Sequence, residues 1–102
     1  MAMGANSAFR PTGTVSLNVG TTSANVLLAG GGESVVVTNP TSYLAYVRFG
    51  SDATVVASAS DMPILAGSRA ILSVNSLISY AAALLTSGSG NVLITRGDGS
   101  FL

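Results

Sequence analysis

The chain contains no cysteine, no histidine and no lysine, and its entire charge consists of four arginines and four acidic residues. Without cysteine there is no disulfide framework, no thiolate nucleophile and no thiolate metal site; without histidine there is no imidazole base, no haem ligation and no zinc-finger arrangement. Serine is abundant, yet a serine nucleophile needs a neighbouring base that neither His nor Lys supplies here. An enzyme is therefore not expected, and neither is a metal or a cofactor. Charged residues are 8% of the chain, against about 25% in an average soluble domain.

Arg10, Arg48, Arg69 and Arg96 are scattered and balanced by four carboxylates to a net charge of zero. A grip on nucleic acid or on an anionic membrane requires a clustered basic patch, so neither is expected as a partner. Hydrophobic residues reach 48%, and the surface must be built largely from Ser, Thr, Asn, Gly and apolar groups. With few charges of either sign, nothing repels one copy from the next, which favours a homo-oligomer or lattice component. A length of 102 residues fits a single domain with one modest core.

The N-terminal stretch MAMGANSAFRPTG has no basic segment followed by an apolar one, so no secretory signal is expected. Its Gly, Asn, Ser and Pro11 disfavour regular structure, while Met1, Met3 and Phe9 offer small apolar anchors. Residues 1–12 are read as an arm that is either frayed or ordered against a neighbour, and residues 13–102 as one domain. The run 70–95 carries no charge over 26 residues, long enough for a bilayer span of about 20. Its serines, its asparagines, Gly88 and Gly90 break the apolar length, and a membrane span is not expected.

Within that run, Ile71, Val74, Ile78, Ala81 and Leu85 recur at helical spacing, and AAALL has high helix propensity, so the local pattern alone permits a helix. Elsewhere the segments are short, rich in Val, Thr, Tyr and Phe, and punctuated by Gly, Ser, Asn and Asp. Strands are expected at 14–19, 25–28, 34–39, 44–49, 54–57 and 91–96. A weak internal repeat bears on the ambiguous part: LLAG at 27–30 leads into ESVVVTNPTSYLAYVRFGS, and ILAG at 64–67 into SRAILSVNSLISYAAALLTSGS. Correspondence with the first copy makes 68–74 and 79–85 two further strands, joined by a turn near 75–77. Eight or so short strands with twelve glycines predict an all-β, antiparallel β-sandwich or jelly roll. Pro40 falls in a turn and Pro63 at a strand start, where neither removes a ladder bond. Tyr43, Tyr46, Phe49 and Tyr80 are expected as core or edge aromatics.

Few motifs carry chemistry. Arg96-Gly97-Asp98 matches the triplet that binds integrin-type receptors when exposed on a turn; alternatively, Gly97 and Gly99 end the last strand and Asp98 forms the turn, the commoner situation for so short a match. Gly30–Gly32 lacks the lysine and helix of a phosphate-binding loop and reads as a hairpin. Asp52 and Asp61 have no calcium-loop spacing and are expected as solvated turn residues. Arg48 sits mid-strand, where a charge needs a carboxylate or an interface.

The segment VVVTNPTSYLAYVRFGSDATVVASASDMPILAGSRAILSV, residues 35–74, resembles small structural proteins of tailed bacteriophages. The likeness runs from a strand ending in Thr-Asn, through Ala45–Gly50 (Ala-x-Val-Arg-Phe-Gly) and a Thr/Ala/Val-rich stretch, to the Met-Pro-Ile-Leu-x-Gly of 62–67. The resemblance implies a virion component, foremost a capsid decoration or cement protein made in the host cytoplasm. Such a protein forms homo-oligomers, trimers above all, on the outer shell, where it clamps the major capsid protein. Met1, Met3, Phe9, Arg10, Pro11 and Arg48 are then the candidate contact residues. The alternatives are a receptor-binding module of a fibre or spike and a head–tail connector subunit.

Overall fold

The computed structural model describes residues 9–75 and 77–99. Eight strands follow one another along them: β1 (Arg10–Val19), β2 (Ala24–Leu27), β3 (Ser34–Asn39), β4 (Ala45–Gly50), β5 (Met62–Ile64), β6 (Ser68–Ser73), β7 (Tyr80–Leu85) and β8 (Gly90–Asp98). They form two four-stranded antiparallel sheets, in the orders β1-β8-β3-β6 and β2-β7-β4-β5. Pairing β1 with β8, β2 with β7, β3 with β6 and β4 with β5 is the pattern of one long hairpin. Rolling that hairpin adds the β3–β8 and β4–β7 contacts and lays one sheet on the other. The expected antiparallel sandwich is thus a jelly roll.

Period-2 alternation makes the core. Leu17 and Val19 of β1, Val35 and Val37 of β3, and Val92 and Ile94 of β8 point inward from the first sheet. They meet Ala45 and Val47 of β4, Ile64 of β5, and Ala81, Ala83 and Leu85 of β7. Residues between them on the first sheet, such as Thr14, Ser16, Asn18 and Thr38, face outward. The helical spacing of 71–85 is overridden: Ala81, Ala82 and Ala83 all lie in β7 and are completely buried. Sandwiched on both faces, this strand has no use for charge; elsewhere in the uncharged run Val92 and Ile94 are buried in β8, while Ser73, Asn75, Thr86, Ser87 and Ser89 are exposed. The two copies of the internal repeat become β3–β4 and β6–β7, and each strand of one copy lies beside its counterpart in the other.

Several boundaries differ from expectation. β1 begins at Arg10, so Arg10, Pro11 and Thr12 are strand residues instead of arm, paired opposite Asp98 and Gly97 up to a bulge between Pro11 and Gly13. Residues 54–57 form no strand; they belong to the 51–61 connection, whose Val55-Val56-Ala57 run mimics one. The short strand at Met62–Ile64 takes its place, with Pro63 tolerated because β5 is an edge. Gly30–Gly32 is not a hairpin, since β2 and β3 lie in different sheets. Met1 and Met3 lie outside the described residues.

Ile94 is 1% exposed at the centre of this core. Ile94→Ala should lower the unfolding free energy by about 2–5 kcal/mol, a large part of a domain's total of about 5–15 kcal/mol, measured by urea denaturation.

Candidate interaction surfaces

Only two polar or charged residues are buried among the described ones, Arg96 and Asn39. Arg96 follows Val92 and Ile94 on the inward face of β8 and sits at one end of the sandwich, opposite Gly13 and Val35. Its Nε donates to Gly32 O at 2.9 Å, one terminal nitrogen to Asn75 O at 3.2 Å and the other to Ile78 O. Three carbonyl dipoles from two sheet-crossing loops thus solvate the guanidinium in place of water. Thr12, at the β1 bulge, adds a hydroxyl 2.6 Å from Gly31 O and 3.0 Å from Arg96 O, and accepts the Gly31 N–H.

Asn39 follows Val35 and Val37 on β3 in the same way, at the opposite end. Its amide nitrogen donates to Tyr43 O at 2.8 Å and Ile64 O at 3.0 Å, while its Oδ1 accepts the Thr41 N–H at 3.1 Å. One side chain thereby ties the end of β3 to the start of β4 and the end of β5. Nothing in the pattern of charge marks either residue as a hub. The signal lay in parity: each continues an inward row of apolar residues by two positions.

The receptor triplet does not form an exposed turn. Arg96 and Gly97 are buried within β8, and only Asp98 is exposed, with its carboxylate accepting the Glu33 N–H at 3.0 Å. A Cβ on Gly97 would stand 2.1 Å from Arg10 O, and one on Gly32, at φ 123°, would stand 2.2 Å from Gly97 O. Three backbones pack there with no room for a receptor or a side chain.

Arg48 does meet a carboxylate: it points outward from β4, 60% exposed, with Nε 3.8 Å from Asp61 Oδ1. An exposed pair of this kind contributes about 0–1 kcal/mol. Asp61 also accepts the Ser58 N–H at 2.7 Å, whereas Asp52 is engaged with Thr54, so the two aspartates serve separate turns. Phe9 is half-buried, and Arg10 and Pro11 are exposed on β1. No helix long and apolar enough to cross a membrane, and no cluster of three or more His, Cys, Asp or Glu residues fit for a metal, occurs among the described residues.

What remains is surface, and its two faces differ. Outward from β1-β8-β3-β6 run hydroxyl and amide pairs, Thr14 with Thr95 at 2.8 Å and Asn18 with Asn91 at 3.0 Å, beside Leu93, Val36 and Ile71. The outer face of β2-β7-β4-β5 is crossed by the 51–61 connection, held by Asn25 Nδ2 to Ala53 O at 2.8 Å and by the Ala57 N–H to Ser23 Oγ at 2.9 Å. Ala57 and Ala82 are buried outside the inter-sheet core, where this connection crosses the sheet. Six large apolar side chains are exposed among the described residues: Leu27 on β2, Met62 on β5, Val56 in the 51–61 connection, Tyr43 and Leu65 in connections at the Asn39 end, and Leu77 in the connection at the Arg96 end. In a chain with so few charges, these groups add apolar contact area over the second sheet and at both ends of the sandwich.

No family model matches the chain, and neither a curated protein nor a solved structure matches it significantly.

Two outcomes follow from these contacts. Arg96→Leu removes the donors to three carbonyls, of which Asn75 O keeps the Ile78 N–H; it should cost about 1–3 kcal/mol and raise amide hydrogen exchange first in loops 28–33 and 74–79. The Thr54 hydroxyl, then the Thr54 N–H, hold the Asp52 carboxyl below its ordinary range. A depressed value means that the turn gains from the charged form at neutral pH and loses it as pH falls through the folded value. The Thr54 amide shift, followed by NMR from pH 7 downward, should titrate below an ordinary aspartate and stay flat in Asp52→Asn.

Proposed function

We propose that the protein is a virion structural subunit, a capsid decoration or cement protein that binds the outer face of an assembled shell as a homo-oligomer. One observation carries this reading: large apolar side chains, Val56, Leu65 and Leu77 foremost, stand exposed in a chain whose whole charge is four arginines and four carboxylates. Both buried polar groups are committed to holding the fold, and the described surface offers contact area in place of an acid–base pair. The jelly roll is in keeping with the role, since it recurs in viral shells, though that is an analogy of fold alone.

The mechanism is linkage. A protein that binds only the assembled lattice stabilises it by mass action, at symmetric or quasi-symmetric positions of the shell. The resemblance of residues 35–74 to phage structural proteins points to the major capsid protein as partner and to three copies per assembly, on the outer surface of the particle after synthesis in the host cytoplasm.

Gel densitometry of purified particles against the major capsid protein tests the proposal, with hundreds of copies per particle expected; tens or fewer would point to a fibre or connector part. Val56→Asp and Leu65→Asp each place a charge at an exposed apolar position without touching the core, and each should lower occupancy on the shell about tenfold or more while the β-sheet circular-dichroism spectrum is unchanged.

A further inference from the structure

The two sheets have four edge strands, and three of them are guarded. β1 carries Pro11 and a bulge, β2 has four residues, and β5 has three with Pro63 at its centre. Short length, proline and bulges are the devices by which an edge refuses a further strand. β6 has none of them. Its six residues, SRAILS, pair with β3 from end to end without a shift of register, and contain neither proline nor glycine.

Ladder parity shows which of its peptide groups are open. Val74 donates to Glu33 O at 2.8 Å, so Val74, Leu72 and Ala70 direct N–H and C=O toward β3. Ile71 and Ser73 direct theirs away from the sheet, and no loop hydrogen bond among the described residues reaches them. Because β5 is so short, the inward residues Ala70 and Leu72 of this edge are only partly buried.

We propose that β6 is the edge through which two copies of this chain join, antiparallel about a twofold axis, to make one continuous eight-stranded sheet. The strand is complementary to itself. With Ile71 opposite Ile71 of the second copy, Arg69 faces Ser73, so no like charges meet. On the inward side, Ala70 faces Leu72 and Leu72 faces Ala70, which extends the apolar layer across the axis. A net charge of zero puts no long-range repulsion between the copies. The contact is independent of the decoration role; the three copies proposed above would meet through other surfaces, and an assembly closed by both contacts holds six copies, an even number.

The test is the mass of the purified full chain by sedimentation equilibrium, beside two variants that spare the β3 ladder and the core. Ile71→Lys sets two cations opposite each other at the axis, and Ser73→Pro deletes an outward N–H; circular dichroism and the unfolding midpoint identify any variant that fails to fold. The unaltered chain should form species with an even number of copies. Folded Ile71→Lys should halve their mass or raise the dissociation constant at least about tenfold. The Ile71 and Ser73 amides should be protected from hydrogen exchange at high concentration and lose that protection on dilution. A monomer at high concentration, an odd-numbered assembly, an even-numbered one indifferent to Ile71→Lys, or rapid exchange of both amides at every concentration would overturn the pairing. A folded monomer that still coats shells at high copy number sinks the pairing and leaves the decoration role standing; an even-numbered oligomer absent from particles does the reverse.

Discussion

The structure depends on bringing two inward faces of small and branched side chains close enough to exclude water while the chain passes repeatedly from one sheet to the other. Six of the seven connections make that crossing; only β4 to β5 stays within a sheet. Each crossing leaves peptide groups near the ends of the core, where the ladder can no longer satisfy them and water is only partly available. Asn39 and Arg96 answer this at opposite ends, on β3 and β8, the two central strands of the first sheet. Each ends a row of inward residues, Val35-Val37-Asn39 and Val92-Ile94-Arg96, and gathers loop carbonyls where the apolar row stops.

This economy explains the scarcity of charge. One of the four arginines is spent inside the fold on neutral dipoles, and a second is paired with an aspartate beside the β4–β5 connection. With the remaining surface made of Thr, Ser, Asn and scattered aliphatic groups, association meets little electrostatic resistance. The two outward faces then divide in character: one is lined by hydroxyl and amide pairs, the other is overlaid by the 51–61 connection.

Much of the architecture was legible along the chain, because alternation and turn residues report the two-residue period of a strand directly. Ser34–Asn39, a valine run between the glycines of 30–32 and Pro40, matches its expected bounds residue for residue. The misreadings share a cause. Val55-Val56-Ala57 has the composition of a strand, but side-chain hydrogen bonds from Asn25 and Ser23 hold that stretch across a sheet; Met62–Ile64 is too short and too proline-marked to announce itself. Gly30–Gly32 looks like a hairpin because a sequence does not say whether neighbouring strands share a sheet.

By itself, then, the amino-acid order determined that the described residues would be built of β-strands and that the chain would be poor in charge and free of cysteine, histidine and lysine. These are consequences of residue type and near-neighbour spacing, which folding does not alter. Only the tertiary structure decided that Arg96 would be a buried tie and not the head of a receptor motif, that the 51–61 connection would lie across the second sheet, and that β6 would be the unguarded edge. Those outcomes turn on which strands become neighbours after the hairpin rolls up, and residues 84 positions apart, such as Thr12 and Arg96, have no way to signal that meeting in advance.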